Sequence, residues 1–185
     1  YREPQKEEIV KALQSVGSDK ILIDKNTVEL TKPGMKVDLG AIAKGYAVDM
    51  AIKKLRSQGI DSALVNAGGD LFCLGNKNGS PWRVAIRHPQ KKGFIEYLNL
   101  QDKAVATSGD YERYFNKDGR TFVHIFNPRN GYPVENKVSS VTVIADDCLS
   151  ADAIATIIFV EGKSAIDRFE ELFNVEIKTL TKTDV

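Results

Sequence analysis

The sequence predicts an α+β domain, a mixed and largely antiparallel sheet packed with helices. Two patterns carry this reading. Short alternating or β-branched runs come in groups bounded by turn residues, and helical stretches stand between those groups instead of following every strand. A third observation sets the scale: 185 residues, 42% hydrophobic and 28% charged, suit one globular domain over residues 1–185 with a core of its own.

Pro4 opens a helix that runs to Val16, with Glu7 and Glu8 early, Ile9, Leu13 and Val16 on one face and Gly17 at its end. Residues 20–24 and 27–30 alternate as a hairpin that turns at Lys25 and Asn26. Asp38 can cap a helix over residues 40–58, where Ile42, Tyr46, Met50 and Leu55 stand near helical spacing. Strands follow over 62–66, 70–75, 81–87, 94–100, 103–107 and 121–126, with a helical turn near Asp110 to Phe115. A long β-branched strand over 138–145, helices over 150–160 and 163–172 and a last strand over 175–178 complete the chain.

Composition excludes some partners. With 26 basic and 25 acidic residues the net charge is +1, and no basic stripe with interleaved aromatics points to nucleic acid. Cys73 and Cys148 match no zinc spacing and read as buried thiols, a disulfide between them being the alternative. No segment reaches the roughly 18 apolar residues of a membrane-spanning helix, and none resembles a signal peptide.

Asp152 and Thr156 draw attention first. Four residues apart at the start of an apolar helix, they put a carboxylate and a hydroxyl on one face. Such a pair suits Mg²⁺, which takes one or two protein oxygens and keeps waters or phosphate on its other positions. The plain alternative is that Asp152 caps the helix and Thr156 is a core residue. Lys44 follows Gly40 and precedes Gly45 in the first turns of the helix over 40–58, where a helix N-terminus favours anions; a solvated lysine is the alternative. Asn66, Gly68, Gly69 and Asp70 join two apolar strands, either as a plain hairpin or as a loop whose amides face a ligand. Thr107, Ser108 and Gly109 end another strand. His124 lies in an apolar strand three residues before a turn that carries Arg129. An arginine and a hydroxyl–glycine turn are what a phosphate needs, whereas a strand histidine is often a core residue.

Taken in order, residues 38–49 (Asp-Leu-Gly-Ala-Ile-Ala-Lys-Gly-Tyr-Ala-Val-Asp), 66–70 (Asn-Ala-Gly-Gly-Asp), 106–109 (Ala-Thr-Ser-Gly), 124–131 (His-Ile-Phe-Asn-Pro-Arg-Asn-Gly) and 151–156 (Ala-Asp-Ala-Ile-Ala-Thr) resemble the ApbE family of FAD:protein FMN transferases. The resemblance implies that Mg²⁺ assists cleavage of the FAD pyrophosphate, that FMN passes to a threonine hydroxyl of an acceptor flavoprotein, and that AMP leaves. The acceptor would be a subunit of a redox-driven ion pump or an FMN-binding domain. It implies that Asp152, Thr156 and the Ala41 carbonyl hold the metal, that Lys44 and Arg129 contact FAD and that His124 assists proton transfer. It also implies an extracytoplasmic, often lipid-anchored protein, with an N-terminal region that contributes to the FAD pocket and precedes the part represented here. An FAD pyrophosphatase yielding FMN and AMP, or a flavin-binding protein without catalysis, would use the same groups. Asn127 and Asn130 depart from the family, whose members more often carry Asp and Thr or Ser there.

Overall fold

The protein is described by a computed structural model covering residues 2–88, 91–110, 114–117, 120–135 and 137–182, without the side chains of 114–117, 120 and 121. In chain order the elements are α1 (Lys6–Leu13), β1 (Ile21–Asp24), β2 (Thr27–Leu30), α2 (Ala43–Ser57), β3 (Ala63–Ala67), β4 (Asp70–Leu74), β5 (Trp82–Arg87) and β6 (Phe94–Leu100). They continue with β7 (Lys103–Gly109), β8 (Tyr114–Lys117), β9 (Arg120–Val123), β10 (Val138–Ala145), α3 (Cys148–Glu161), α4 (Ile166–Phe173) and β11 (Glu176–Thr181).

The central sheet runs β11-β10-β7-β4-β3, every neighbouring pair antiparallel. Strand alternation divides its side chains between two apolar layers. Phe72, Leu74, Ala104, Ala106, Val141 and Val143 face α2 and α3, while Leu71, Cys73, Val105 and Ile144 face the β5–β6 hairpin. The two alanines of β7 keep that strand low, so α3 lies close over it and buries Ile154, Ala155, Ile158 and Phe159. Each large side chain in that set contributes roughly 1.5–3 kcal/mol on burial. Cys73 and Cys148 are free thiols in the two different layers. No helix among the described residues is long and apolar enough to cross a membrane.

Several elements differ from the sequence reading. α1 is shorter than expected because residues 14–16 tighten into three-residue turns, Gln14 N donating to Lys11 O, Ser15 N to Ala12 O and Val16 N to Leu13 O. Asp38 does not cap α2. Its Oδ1 accepts the Gly40 amide at 2.7 Å, a local turn that competes with the helix, and α2 starts only at Ala43. Tyr46 and Met50, expected inward, are exposed, because Gly45, Val48 and Ile52 face the core. Of the helical turn expected near Asp110 to Phe115, residues 111–113 lie outside the described residues, and Tyr114 and Phe115 belong to β8. β9 ends at Val123, so His124 stands in a bend past the strand.

α3 also starts earlier than expected, and Asp147, not Asp152, caps it. Asp147 Oδ1 accepts Ser150 N at 2.7 Å, and its Oδ2 accepts the Ser150 hydroxyl at 2.9 Å. The two preceding amides go to α2: Asp49 Oδ1 accepts Cys148 N at 2.8 Å and Oδ2 accepts Leu149 N at 2.9 Å. Asp49→Ala therefore orphans two part-buried donors and should cost about 2 kcal/mol, since each unsatisfied group costs on the order of 1–3 kcal/mol. Thermal denaturation checks this. An unchanged midpoint would show that water replaces the carboxylate without penalty.

Candidate functional site

Gly45 is where the site begins. A Cβ there would lie 2.8 Å from Leu149 Cα and closer still to Cys148 O, so only glycine lets α2 approach the first turn of α3. The approach brings the Gly45 amide to Asp152 Oδ2 at 3.0 Å. In helical order that amide would donate to Ala41 O, just as Tyr46 N donates to Ile42 O at 3.0 Å. Among the described residues no hydrogen bond ends on the Ala41 carbonyl. Asp152 thus frees a backbone oxygen by taking its donor.

Asp152 is 5% exposed and Asp70 1% exposed, and the two carboxyl groups are neighbours. Lys44 Nζ lies 2.5 Å from Asp70 Oδ2, an ion pair without hydrogen-bond alignment: among the described residues that oxygen accepts no hydrogen bond. Burial raises the Asp152 pKa above the ordinary carboxylate value. The Gly45 amide and Lys44 oppose the rise, and Asp70 adds to it. Burial likewise pushes the Cys148 thiol up, with Asp70, Asp49, Asp152 and Asp147 adding to the effect, so this cysteine is inert.

Thr156 follows on the same face of α3, and its hydroxyl meets that of Ser108 on β7 at 3.1 Å. Thr107 points the other way. It pairs with Thr142 across β7 and β10, their hydroxyls 2.9 Å apart, on the face that holds Val105 and Ile144. Between β3 and β4, Gly68 and Gly69 have φ of 67° and 113°, and Gly69 N donates to Asn66 Oδ1 at 2.9 Å. Nothing described lies within 4 Å of a Cβ built on either glycine, so the turn is open to a ligand.

Of the remaining residues, Arg129 lies towards the other end of α3. Val123 is buried and Ile125 packs against the main core, which leaves His124 exposed between them. This is the alternation expected of a histidine that does not fill the core. Arg129 is 83% exposed and stands 3.5 Å from Glu161 at the end of α3, a carboxylate that Arg168 also holds at 2.8 Å. Asn127 Oδ1 accepts Arg129 N and Asn130 Oδ1 accepts Tyr132 N, both at 2.9 Å. The two departures from the family pattern thus cap their own turn with amide oxygens. Gly131, at φ 74°, seats that turn on α1, where a Cβ would meet Ile9 Cγ2 at 2.6 Å.

The structure therefore joins Lys44, Asp70, Ser108, Asp152 and Thr156 at the seam of α2, α3 and the sheet. Asp49 and Asp147 went unread in the sequence. Asp49 stands four residues after Gly45, hence on the same helix face, and that spacing was the available signal. Among the described residues no three His, Cys, Asp or Glu side chains converge on a metal position. A cation here would rely on one carboxylate, Asp152, with the Thr156 hydroxyl and the freed Ala41 carbonyl. Those are hard oxygen donors that fit Mg²⁺.

Fold and site together define an α+β domain whose acidic, lysine-bearing cleft is assembled where two helices cross an antiparallel sheet. The sequence model of the ApbE family matches residues 1–178, and the chain belongs to that family. It is 38% identical over 184 residues to an FAD:protein FMN transferase of Vibrio cholerae, covering 98% of this chain and 55% of the relative. A Klebsiella pneumoniae protein of the same name is 42% identical over 143 residues, which cover 75% of this chain and 44% of that protein. Among solved structures, the ApbE protein of Thermotoga maritima superposes with a TM-score of 0.91 at 40% identity, over 100% of this chain and 61% of that one. The flavin transferase ApbE of Vibrio cholerae gives 0.87 at 37% identity, over 98% and 58%. The chain thus spans about half the length of the relatives it matches.

Proposed function

We propose that the protein transfers FMN from FAD to a threonine hydroxyl of an acceptor flavoprotein, with Mg²⁺ bound and AMP released. The names of its relatives support the flavin chemistry. The observation that carries the metal is the Gly45–Asp152 hydrogen bond, which leaves the Ala41 carbonyl without its helical donor.

In this reading Asp152, Thr156 and Ala41 hold Mg²⁺, which supplies charge neutralisation at the pyrophosphate. Lys44 and the open Gly68–Gly69 turn bind the phosphates from the sheet side, and Arg129 binds from the far end of α3. Ser108 orients the Thr156 hydroxyl. The acceptor threonine oxygen forms a bond to the FMN phosphorus as the bond to the AMP phosphate breaks, and His124 takes the hydroxyl proton. Its exposure suits a base that must meet a second protein.

Incubation of the full-length protein with FAD and Mg²⁺, with and without an acceptor polypeptide, followed by mass spectrometry, tests the proposal. A covalent FMN adduct and free AMP are expected. Free FMN without an adduct would make the protein an FAD pyrophosphatase, and unchanged FAD would leave a binding protein. His124→Asn keeps size and some hydrogen bonding, yet transfer should fall by about a hundredfold or more, as positioned acid–base groups are typically worth 10²–10⁴. FAD binding should survive. Transfer at the original rate would reduce His124 to a surface residue.

A further inference from the structure

Asp70 stands apart from the other site residues. It opens β4 directly after the Gly68–Gly69 turn and is almost completely buried, yet its Oδ2 accepts no hydrogen bond among the described residues. A buried carboxylate is costly unless it is paired. Asp70 lies beside a second buried carboxylate, Asp152, and Lys44 is the cation that faces both. The formal charges of these three side chains sum to −1. The Lys44 side chain is itself 43% exposed, so its ammonium reaches inward from the open side of the cleft.

From this arrangement we infer that Lys44 is the built-in counter-ion of the Asp70–Asp152 pair, and that Asp70 is the positioning residue that holds it there. The lysine then competes with a divalent cation for the field of the two carboxylates. A phosphate-bearing ligand draws the ammonium outward, and the full field of the pair becomes available to the cation. Lysine suits this exchange, being a compact, strongly hydrated charge on a flexible four-carbon stem. Cation and dinucleotide would then bind with positive coupling, each strengthening the other by the same factor. The inference rests on the metal reading proposed above and adds regulation to it.

The test is a calorimetric titration of Mg²⁺ into the full-length protein without FAD, for the wild type, Lys44→Gln and Asp70→Asn. Removing the competing cation should tighten Mg²⁺ binding by about tenfold, and removing the second carboxylate should weaken it by about tenfold, the size of effect that outer-sphere groups have on metal affinity. A purely structural role would weaken binding in both variants, so the opposite signs are diagnostic. Should Asp70→Asn fail to fold, Lys44→Gln, at a half-exposed position, still decides. Unchanged or weaker Mg²⁺ binding in Lys44→Gln overturns the inference and leaves the function above standing. A wild type that binds no Mg²⁺ removes both.

Discussion

Asp152→Ala is expected to abolish Mg²⁺-dependent turnover while the protein keeps its fold. The substitution removes two ligands at once. The carboxylate is lost directly. The Gly45 amide, deprived of Asp152 Oδ2, is free to return to its helical acceptor, so the Ala41 carbonyl is lost as well. Only the Thr156 hydroxyl then remains. Changes outside the ligand set already cost about 10–100-fold, so this one should cost at least a hundredfold in both Mg²⁺ affinity and rate. Stability should move little or rise. Burial works against the Asp152 charge, and Asp70 adds to that penalty. A small apolar side chain removes the cost of an ion in low dielectric. Calorimetric Mg²⁺ titration and thermal denaturation of one preparation separate the two effects. Undiminished Mg²⁺ affinity would sink the metal assignment.

Gly45→Ala should destabilise the protein about as much as Asp49→Ala. In an exposed helix interior this substitution gains about 1 kcal/mol. Here the new methyl runs into backbone atoms of Cys148 and Leu149, which cannot turn aside as a side-chain end can. Overpacking of this kind costs typically 1–3 kcal/mol and occasionally more. The helices must also part, which stretches the Asp49 bonds to Cys148 and Leu149 and the Gly45 bond to Asp152. A net loss of about 2 kcal/mol is expected, a fall of roughly 4–8 °C in thermal midpoint for a chain of this size. Mg²⁺ affinity should fall with it. A variant more stable than the wild type would mean that helix propensity outweighs the contact.

Both predictions concern the crossing of α2 and α3, which was only half legible in the sequence. The glycines and the Asp152–Thr156 spacing were readable, because helical periodicity is local. Which face of α2 turns inward was not. Ile42, Tyr46 and Met50 form a plausible apolar stripe, but Gly45, Val48 and Asp49 win because a close helix approach and a shared cap decide the rotation. Strand order and register also lay beyond local pattern, so Thr107 and Ser108 read as one phosphate-binding unit although alternation sends their side chains to opposite faces. Apart from β8, where a helical turn was expected, the strands themselves were readable, within a residue or two at most ends, from β-branched runs and turn residues. Asp38 shows the limit at helix ends, where a short acidic side chain satisfies its own neighbours as readily as a helix.

The cap that Asp49 provides joins residues 99 and 100 positions apart in the chain. The first turn of α3 is therefore not a local structure. An isolated segment over 148–161 would have to nucleate with two of its leading amides turned to water, and short helices are marginal on their own. In the folded chain that turn closes only once α2 has docked, so the two helices open and close as one cooperative unit. Assembly of the cleft then depends on the docking of α2 against α3. Residues 41–49 and 148–156 come into register together or not at all, and partly folded forms would lack the site altogether.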